Sequence, residues 1–454
     1  MGKIAAEIAA TEKIVDFAVN TDYESIPDEV KHQVKRALLD YLAVTIVGSS
    51  TEVSQKVFNC IQQIDAGSNC TVIGRKEKLS MLYSALVNGT SAHSLDFDDG
   101  HRGGSVHPGG VIFPAVLAAA EYNRLSAEQI FVGAVIGFDV TIRIAVAMHP
   151  NAVYRGFHNT PIAGVIGASA AVARMIGLEK EQLRNAMGMA GSFSGGLFAF
   201  MQNGADIKRI HPGKAARDAL LCAELARQNL TGPPEVIEGK NGFFQCFAGE
   251  ADLNKLVNNL GKKYEIMNIY MKPYPACRHL HPAMDCIIKI KEIYDLNADQ
   301  IRDIKVGTYK VASAHSHKTY RNLLETQMSM PCAIATSIVH DQITLDAFLP
   351  ETYEKNKSIQ QLLEKIKIEV DEECEQAYPQ KRPTKVEIIF KDGSTVKEKV
   401  DEPLGGIEKP LSDQGIEDKL INYCSPISGK EKCRELIKKT WELEELKDFS
   451  SFWF

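Results

Sequence analysis

The chain has 454 residues, 44% of them hydrophobic and 24% charged, and a net charge of −6. That is the composition of a globular chain long enough for two or more domains. An acidic balance offers no basic face for nucleic acid, no apolar run approaches the roughly 20 residues of a membrane span, and ten cysteines without CxxC pairs match no common zinc site and read as reduced thiols of a cytoplasmic protein.

The N-terminal stretch MGKIAAEIAATEKIVDF carries acidic residues and reads as an amphipathic helix, neither a signal nor a transit peptide. Residues 1–66 read as helices, with a proline-led start at Pro27 and a long apolar periodicity after it. Apolar spacing predicts a helix over 77–99, stopped by Gly100. Pro108 is placed to open the next helix, 108–123. The stretch 126–148 spreads its apolar residues evenly, which suggests burial on most sides. Thr160 and Pro161 read as the N-cap and first position of a small-residue helix. The stretches EKEQLRNAMGMAG and HPGKAARDALLCAELARQNL supply two more helices.

The texture changes near 265. The stretch MKPYPACRHLHPAMDCIIKIKEIYD gives a loop and an amphipathic helix, and IRDIKVGTYKVA alternates like a half-buried strand. MSMPCAIATSIVHD is another small-residue helix; IKIEVD, KVEIIF and TVKEKV are strand candidates, the last two joined by a hairpin signal at Lys391-Asp392-Gly393-Ser394. Helices return after Pro403. The expected fold is therefore mainly α: a large helical domain built from both chain ends (1–265 and 404–454) plus a smaller inserted α/β domain (266–403).

The chemistry concentrates in SAHSLDFDDGHRGGSVHPGG, residues 91–110. It packs three aspartates, three histidines and an arginine among five glycines. On the helix expected there, His93 and Asp96 share a face, as do Asp96 and Asp99. Asp98 faces away and reads as a partner for nearby backbone. The carboxylates fall at the negative end of the helix macrodipole, so structure alone does not recommend them. Three further islands are basic: Arg155–Thr160, Asp206–Lys214 and Cys277–Pro282. Each contains histidine and lies at or before an expected helix start, where free N–H groups favour an anion. His315 and His317 fall in a polar loop and read as solvated.

Four basic islands in an acidic chain point to a small substrate with several carboxylates. A metal set of Asp96, Asp99, His101 and His107 has no standard zinc spacing. A diphosphate–magnesium reading of Asp98-Asp99 lacks a third aspartate and a second acidic motif. Metal-free acid–base work remains, in which a histidine or lysine takes a proton from the carbon beside a carboxylate. Histidine titrates near ~6.5 and suits that duty; neighbouring cations lower a lysine toward it.

The run HSLDFDDGHRGGSVHPGGVIFPAVLAAAE, with GFHNT, KRIHPGKAA, EGKNGFF and YPACRHLHPAMD in that order, resembles the MmgE/PrpD family, and the resemblance covers nearly the whole chain. That family includes 2-methylcitrate dehydratase, cis-aconitate decarboxylase and iminodisuccinate epimerase. The resemblance implies the same two-part fold, a homodimer, and a site between the domains that uses neither metal nor organic cofactor. It implies active-site roles for Asp96, His107, His158, Lys208 and His281. His101, Arg102, Arg209 and Arg278 are the further candidates for holding substrate carboxylates. Three departures from the decarboxylase pattern stand out: Gly100 replaces a threonine, the Asp96–His107 loop is one residue longer, and Cys332 replaces a tyrosine. Dehydration is the first expectation and epimerisation the second, since both begin with the same proton abstraction.

Overall fold

A computed structural model describes residues 9–202 and 204–453. The first eight residues of the expected N-terminal helix lie outside the described residues; the helix is seen over Ala10–Asn20. The chain is mainly helical and divides into two units. One comprises Met1–Ser94, Asp98–Met271 and Ser412–Phe454, the other Leu95–Phe97 and Lys272–Leu411.

The first unit is a stack of helices. Asp28–Ser49 and Asp413–Ser428, from opposite ends of the chain, are joined by a buried ion pair in which Lys419 Nζ lies 2.7 Å from Asp40 Oδ1. Met81–Ala92 and Ile207–Arg227 cross where neither has a side chain. A Cβ on Gly213 would fall 2.0 Å from the Leu86 carbonyl oxygen, and one on Gly89 would fall 2.5 Å from the Gly213 Cα. The two backbones thus touch, and any side chain would hold them apart. Gly109–Asn123 reaches the same point, its Gly110 oxygen 2.9 Å from the Cβ position of Gly89.

Ala127–Met148 corrects the sequence reading on one point. At 22 residues it is long and apolar enough to cross a membrane. Its window is 94% buried within the protein, and it carries a buried Asp139–Arg143 pair whose guanidinium also donates to the carbonyls of Asn258 (2.7 Å) and Lys263 (2.8 Å). These are the marks of a core helix, buried on all sides.

Four local readings change around the expected site. The helix expected over 77–99 spans only Met81–Ala92, and Lys78–Leu79 pairs as a short strand with Cys70–Thr71. The carboxylates at 96, 98 and 99 would have opposed the helix dipole, and the chain leaves the helix before them. Asp96 takes a left-handed conformation (φ 50°), which aspartate tolerates better than most residues. Gly100 is therefore not a helix stop. It pairs with Tyr270 through two backbone hydrogen bonds of 3.0 and 2.8 Å, and a Cβ there would sit 2.3 Å from the phenol oxygen. The small-residue helix starts earlier than expected, with His158 as N-cap and Asn159 first in Asn159–Met175. Lys208 and Arg209 belong to the first turn of Ile207–Arg227 rather than preceding it, with Pro212 inside the helix.

The second unit is built on a four-stranded sheet in the order Ile366–Val370, Ile301–Thr308, Thr384–Phe390, Thr395–Val400. The first pair is parallel and the others antiparallel. Leu280 and, from the helix that follows it (His281–Ile293), Met284, Ile287 and Ile290, together with Ile334 and Ile338 of Met330–Val339 and Ile304, Val306, Val386 and Ile388 of the sheet, form one apolar core. The hairpin turns at Gly393 (φ 89°), where the Asp392 carboxylate accepts from the Ser394 N–H at 2.9 Å.

Gly213→Val is expected to destabilise the protein by about 3 kcal/mol or more, since a backbone oxygen cannot move aside as a side chain can. Thermal denaturation followed by circular dichroism measures it; an unchanged melting temperature would contradict the contact.

Candidate functional site

The loop after Met81–Ala92 carries His93, whose backbone N–H still donates to the Gly89 carbonyl at 3.3 Å. Its ring lies among four polar side chains of the first unit. His93 Nδ1 donates to Asp98 Oδ2 at 2.7 Å, and both side chains are essentially inaccessible. His107 Nδ1 lies 3.5 Å from the same carboxylate oxygen and donates to the Asp99 carbonyl at 2.7 Å. The His107 ring meets that of His93 edge-on, centroids 5.0 Å apart. The His158 ring is 5.9 Å from His93 on another side, and its Nδ1 is 3.0 Å from Nδ1 of His211, so one donates and the other accepts.

Elementary rules assign the protons. With Nδ1–H given to a carboxylate, neutral His93 keeps its lone pair on Nε2, and that atom is buried without a hydrogen-bond partner among the described residues. His107, whose Nδ1–H goes to a carbonyl, likewise has its lone pair on Nε2 when neutral. A carboxylate on the far nitrogen fixes the tautomer and orientation of an imidazole. Burial, then the charges of His93, His211, His107 and Lys208, hold His158 well below the usual histidine range. Burial, then His93 and Lys214, bring His211 down to about 4. Burial, then the neighbouring Asp98, raise the Asp99 carboxyl well above the usual carboxylate range. Asp99 accepts from the Gly109 N–H at 3.0 and 3.2 Å, so the helix N-terminus expected to favour a substrate anion already holds this side chain.

His101, Arg102 and Arg209 take other places. His101 lies 3.7 Å from Glu265 and accepts from the Gly104 N–H at 3.1 Å, and burial brings it down to about 4. Arg102 is in the turn that His101 and Val106 close with a 2.8 Å hydrogen bond. Arg209 donates to the Ser94 carbonyl at 3.0 Å and pairs with Asp206 at 2.9 Å. Lys208, half-buried in the first turn of its helix, is the cation whose charge reaches His158.

In the second unit Lys272, only 1% exposed, donates to the Asp96 carbonyl at 2.6 Å and lies 3.3 Å from its carboxylate. Arg278 donates to His281 Nδ1 at 3.1 Å and to the carbonyls of Leu404 (2.6 Å) and Pro403 (3.0 Å). His281 then donates from Nε2 to the Ala276 carbonyl at 3.1 Å. Both of its nitrogens are engaged in the loop, and burial, then Arg278 and Lys272, keep it neutral. His315 is not simply solvated: it is half-buried, its Nδ1 2.9 Å from the Met328 carbonyl.

The metal set Asp96, Asp99, His101 and His107 is not what the structure gathers. Among the described residues, the group whose ligand atoms come within 4.8 Å of one another is His93, Asp98 and His107. The short Nδ1–H···Oδ2 bond spends the nitrogen and oxygen that face each other there, as an acid–base couple does. Sequence reasoning missed His93, Asp98, His211 and Lys272 as site residues. The first two were hidden by a helical projection that placed Asp98 on the wrong face. His211 stood inside a basic island already marked, whereas Lys272 precedes the island Cys277–Pro282.

Comparison with known proteins bears on this geometry. Residues 12–256 match the MmgE/PrpD N-terminal domain and 274–443 the MmgE/PrpD C-terminal domain. The chain belongs to the MmgE/PrpD family, and it is an enzyme of the lyase type. It is 26% identical to the cis-aconitate decarboxylase-like protein oryM of Aspergillus oryzae, covering 97% of this chain and 95% of that one. It is 25% identical to the cis-aconitate decarboxylase of Aspergillus terreus, covering 98% and 95%, and 26% identical to that of Homo sapiens, covering 94% and 90%.

Because His101, His158 and His211 are depressed in the folded state, the unfolded chain takes up protons first as the pH falls through about 6.5. Stability is therefore full above that pH and declines as it falls toward the folded values, about 4 for His101 and His211. Urea denaturation at several pH values between about 7.5 and 4.5 should show this slope, and His211→Asn should lessen it. A pH-independent midpoint would refute the burial of neutral imidazoles.

Proposed function

We propose that the protein is a lyase that needs no cofactor and acts on a small di- or tricarboxylate by moving a proton at the carbon beside a carboxylate. The observation that carries this reading is the buried, carboxylate-backed His93, whose Nε2 has no hydrogen-bond partner among the described residues, with His107 against its edge. In this reading His93, held by Asp98, takes the proton from carbon. His107 carries the second proton: to a departing hydroxyl in a dehydration, or to the carbanion left when carbon dioxide departs. General acid and base each contribute about 10²–10⁴-fold. His158 stays neutral and serves as a hydrogen-bonding partner rather than a charged acid. We assign Lys208 to a substrate carboxylate, on the strength of its position beside His158. Asp96 acts with Lys272, and the Arg278–His281 pair shapes the loop Lys272–Leu280; these assignments rest on the family pattern and on the contacts within the second unit.

Dehydration is the first reading. The names of the relatives favour decarboxylation as the second. Against a direct transfer of that activity, the threonine of the decarboxylase pattern is replaced by Gly100, whose place the Tyr270 ring fills. We further propose a homodimer in the cytoplasm; the ten cysteines are all free thiols, as a reducing compartment requires.

Purified protein should turn over at least one member of a panel of hydroxy-, imino- and unsaturated polycarboxylates. His93→Gln, Asp98→Asn and His107→Ala should each lower kcat/KM by about 10²-fold or more. Chelator treatment should leave activity intact. No turnover of any panel member, or activity lost with a stoichiometric metal, would overturn the reading. Light scattering coupled to size exclusion should give twice the mass of one chain; a monomer at micromolar concentration would remove the dimer.

A further inference from the structure

The loop that carries His107 is rich in glycine. Gly100, Gly103 and Gly104 precede the histidine, and Gly109 and Gly110 follow it. Such a backbone gives up much freedom when a ring on it is held in one place. The turn closes on itself through the His101 N–H on the Val106 carbonyl at 2.8 Å and the Ser105 N–H on the Arg102 carbonyl at 3.3 Å. Gly104 lies against the helix Ala127–Met148, where a Cβ on it would fall 2.9 Å from the Ala145 Cβ. Two side chains then reach the loop from the start of the helix Asn159–Met175. Asn159 Nδ2 donates to the Gly104 carbonyl at 2.7 Å, and Thr160 Oγ1 accepts from the His107 backbone N–H at 3.1 Å. Both residues are fully buried, and neither caps its own helix, whose N-cap is His158. Asn159 Oδ1 has no hydrogen-bond partner among the described residues, so the amide is spent on the loop.

We propose that Asn159 and Thr160 are positioning residues that hold the His107 and His158 rings at a fixed separation against His93, an assignment that rests on His107 carrying the second proton. His158 directly precedes the two residues in the chain, and its ring is 5.9 Å from that of His93. The His107 ring is 5.0 Å from His93 and is tied through Nδ1 to the Asp99 carbonyl at 2.7 Å. A ring held by one hydrogen bond can still swing about it. With its backbone N–H fixed on Thr160 as well, its Nε2 has one place. The first turn of a buried helix supplies the rigidity that a glycine-rich loop lacks. A hydroxyl and an amide do this without bringing a charge beside the neutral His158. Displacing a reacting group by about 1 Å can cost about 10²-fold in rate, so the clamp acts on turnover through His107 rather than by touching the substrate.

Thr160→Val keeps the shape and removes the acceptor, Thr160→Ser keeps the acceptor, and Asn159→Ala removes the donor to Gly104. On the substrate turned over in the polycarboxylate panel, Thr160→Val and Asn159→Ala should each lower kcat by about tenfold or more with KM little changed. Thr160→Ser should restore most of the loss. A second readout needs no turnover: nuclear magnetic resonance of the intact protein labelled with isotopic histidine, the His107 ring signals being identified by their loss in His107→Ala. In the wild type they should be those of one tautomer protonated at Nδ1; in Thr160→Val and Asn159→Ala they should move toward the average of two exchanging tautomers. A merely structural role would lower the yield of folded protein and leave kcat per folded site and the ring signals as they were. The proposal is overturned if folded Thr160→Val and Asn159→Ala keep the wild-type ring signals, if the loss falls on KM alone, or if Thr160→Ser is as impaired as Thr160→Val. Full activity in His107→Ala would instead remove the acid–base reading, and the ring signals would still decide whether the pair holds the loop.

Discussion

Two helices of the first unit touch backbone to backbone at Gly89 and Gly213, and the histidine cluster depends on that contact. His93 follows Gly89 by one helical turn, and His211 precedes Gly213 by two residues. The third helix at this point begins at Gly109, directly after His107 and Pro108. With side chains at the crossing, the axes would separate to the usual 8–10 Å, and the rings at the helix ends would part with them. Small residues in the core are thus what allow large polar ones to converge at its edge.

Convergence in a buried place decides the charge states. Water would let each imidazole titrate near its ordinary value. Without it His158 and His211 stay neutral, and the Asp98 carboxyl is tied to His93 by a 2.7 Å hydrogen bond. That hydrogen bond is strengthened by the same exclusion of water. Asp99 next door is pushed toward its neutral form first by burial and then by the neighbouring Asp98. Burial therefore gives two adjacent carboxyls different duties, Asp98 as the partner of an imidazole and Asp99 as a group that favours its proton.

The mainly helical class with a small α/β insert was legible because long apolar periodicities and period-two alternation are averaged over many residues. The chemistry was legible as a density of titratable groups in four islands. What failed was local. A helical pattern was carried on through Ser94–Asp99, because Leu95 and Phe97 keep apolar spacing that the backbone no longer follows. The left-handed turn at Asp96 is set by contacts with residues nearly two hundred positions away, such as the Lys272 bond to its carbonyl. No window of sequence contains that information. Lys272 was passed over for the same reason. A lysine before Pro273 reads as a surface residue until the aspartate that neutralises it is known.

The aspartate run shows how so acidic a segment is tolerated. Three carboxylates within four residues would repel one another on a common face. Here each has a different partner: Asp96 the Lys272 ammonium, Asp98 the His93 imidazole, Asp99 the Gly109 N–H at a helix start. The chain achieves this by leaving the helix, so that Leu95–Phe97 is counted with the second unit, where Gln327 Nε2 donates to the Leu95 carbonyl at 2.7 Å, while Asp98 and Asp99 stay with the first. A helix continued through 99 would have put Asp96 and Asp99 side by side at its negative end. The break in the helix is thus the electrostatic solution, and it is what frees Asp98 to act on a histidine five residues before it.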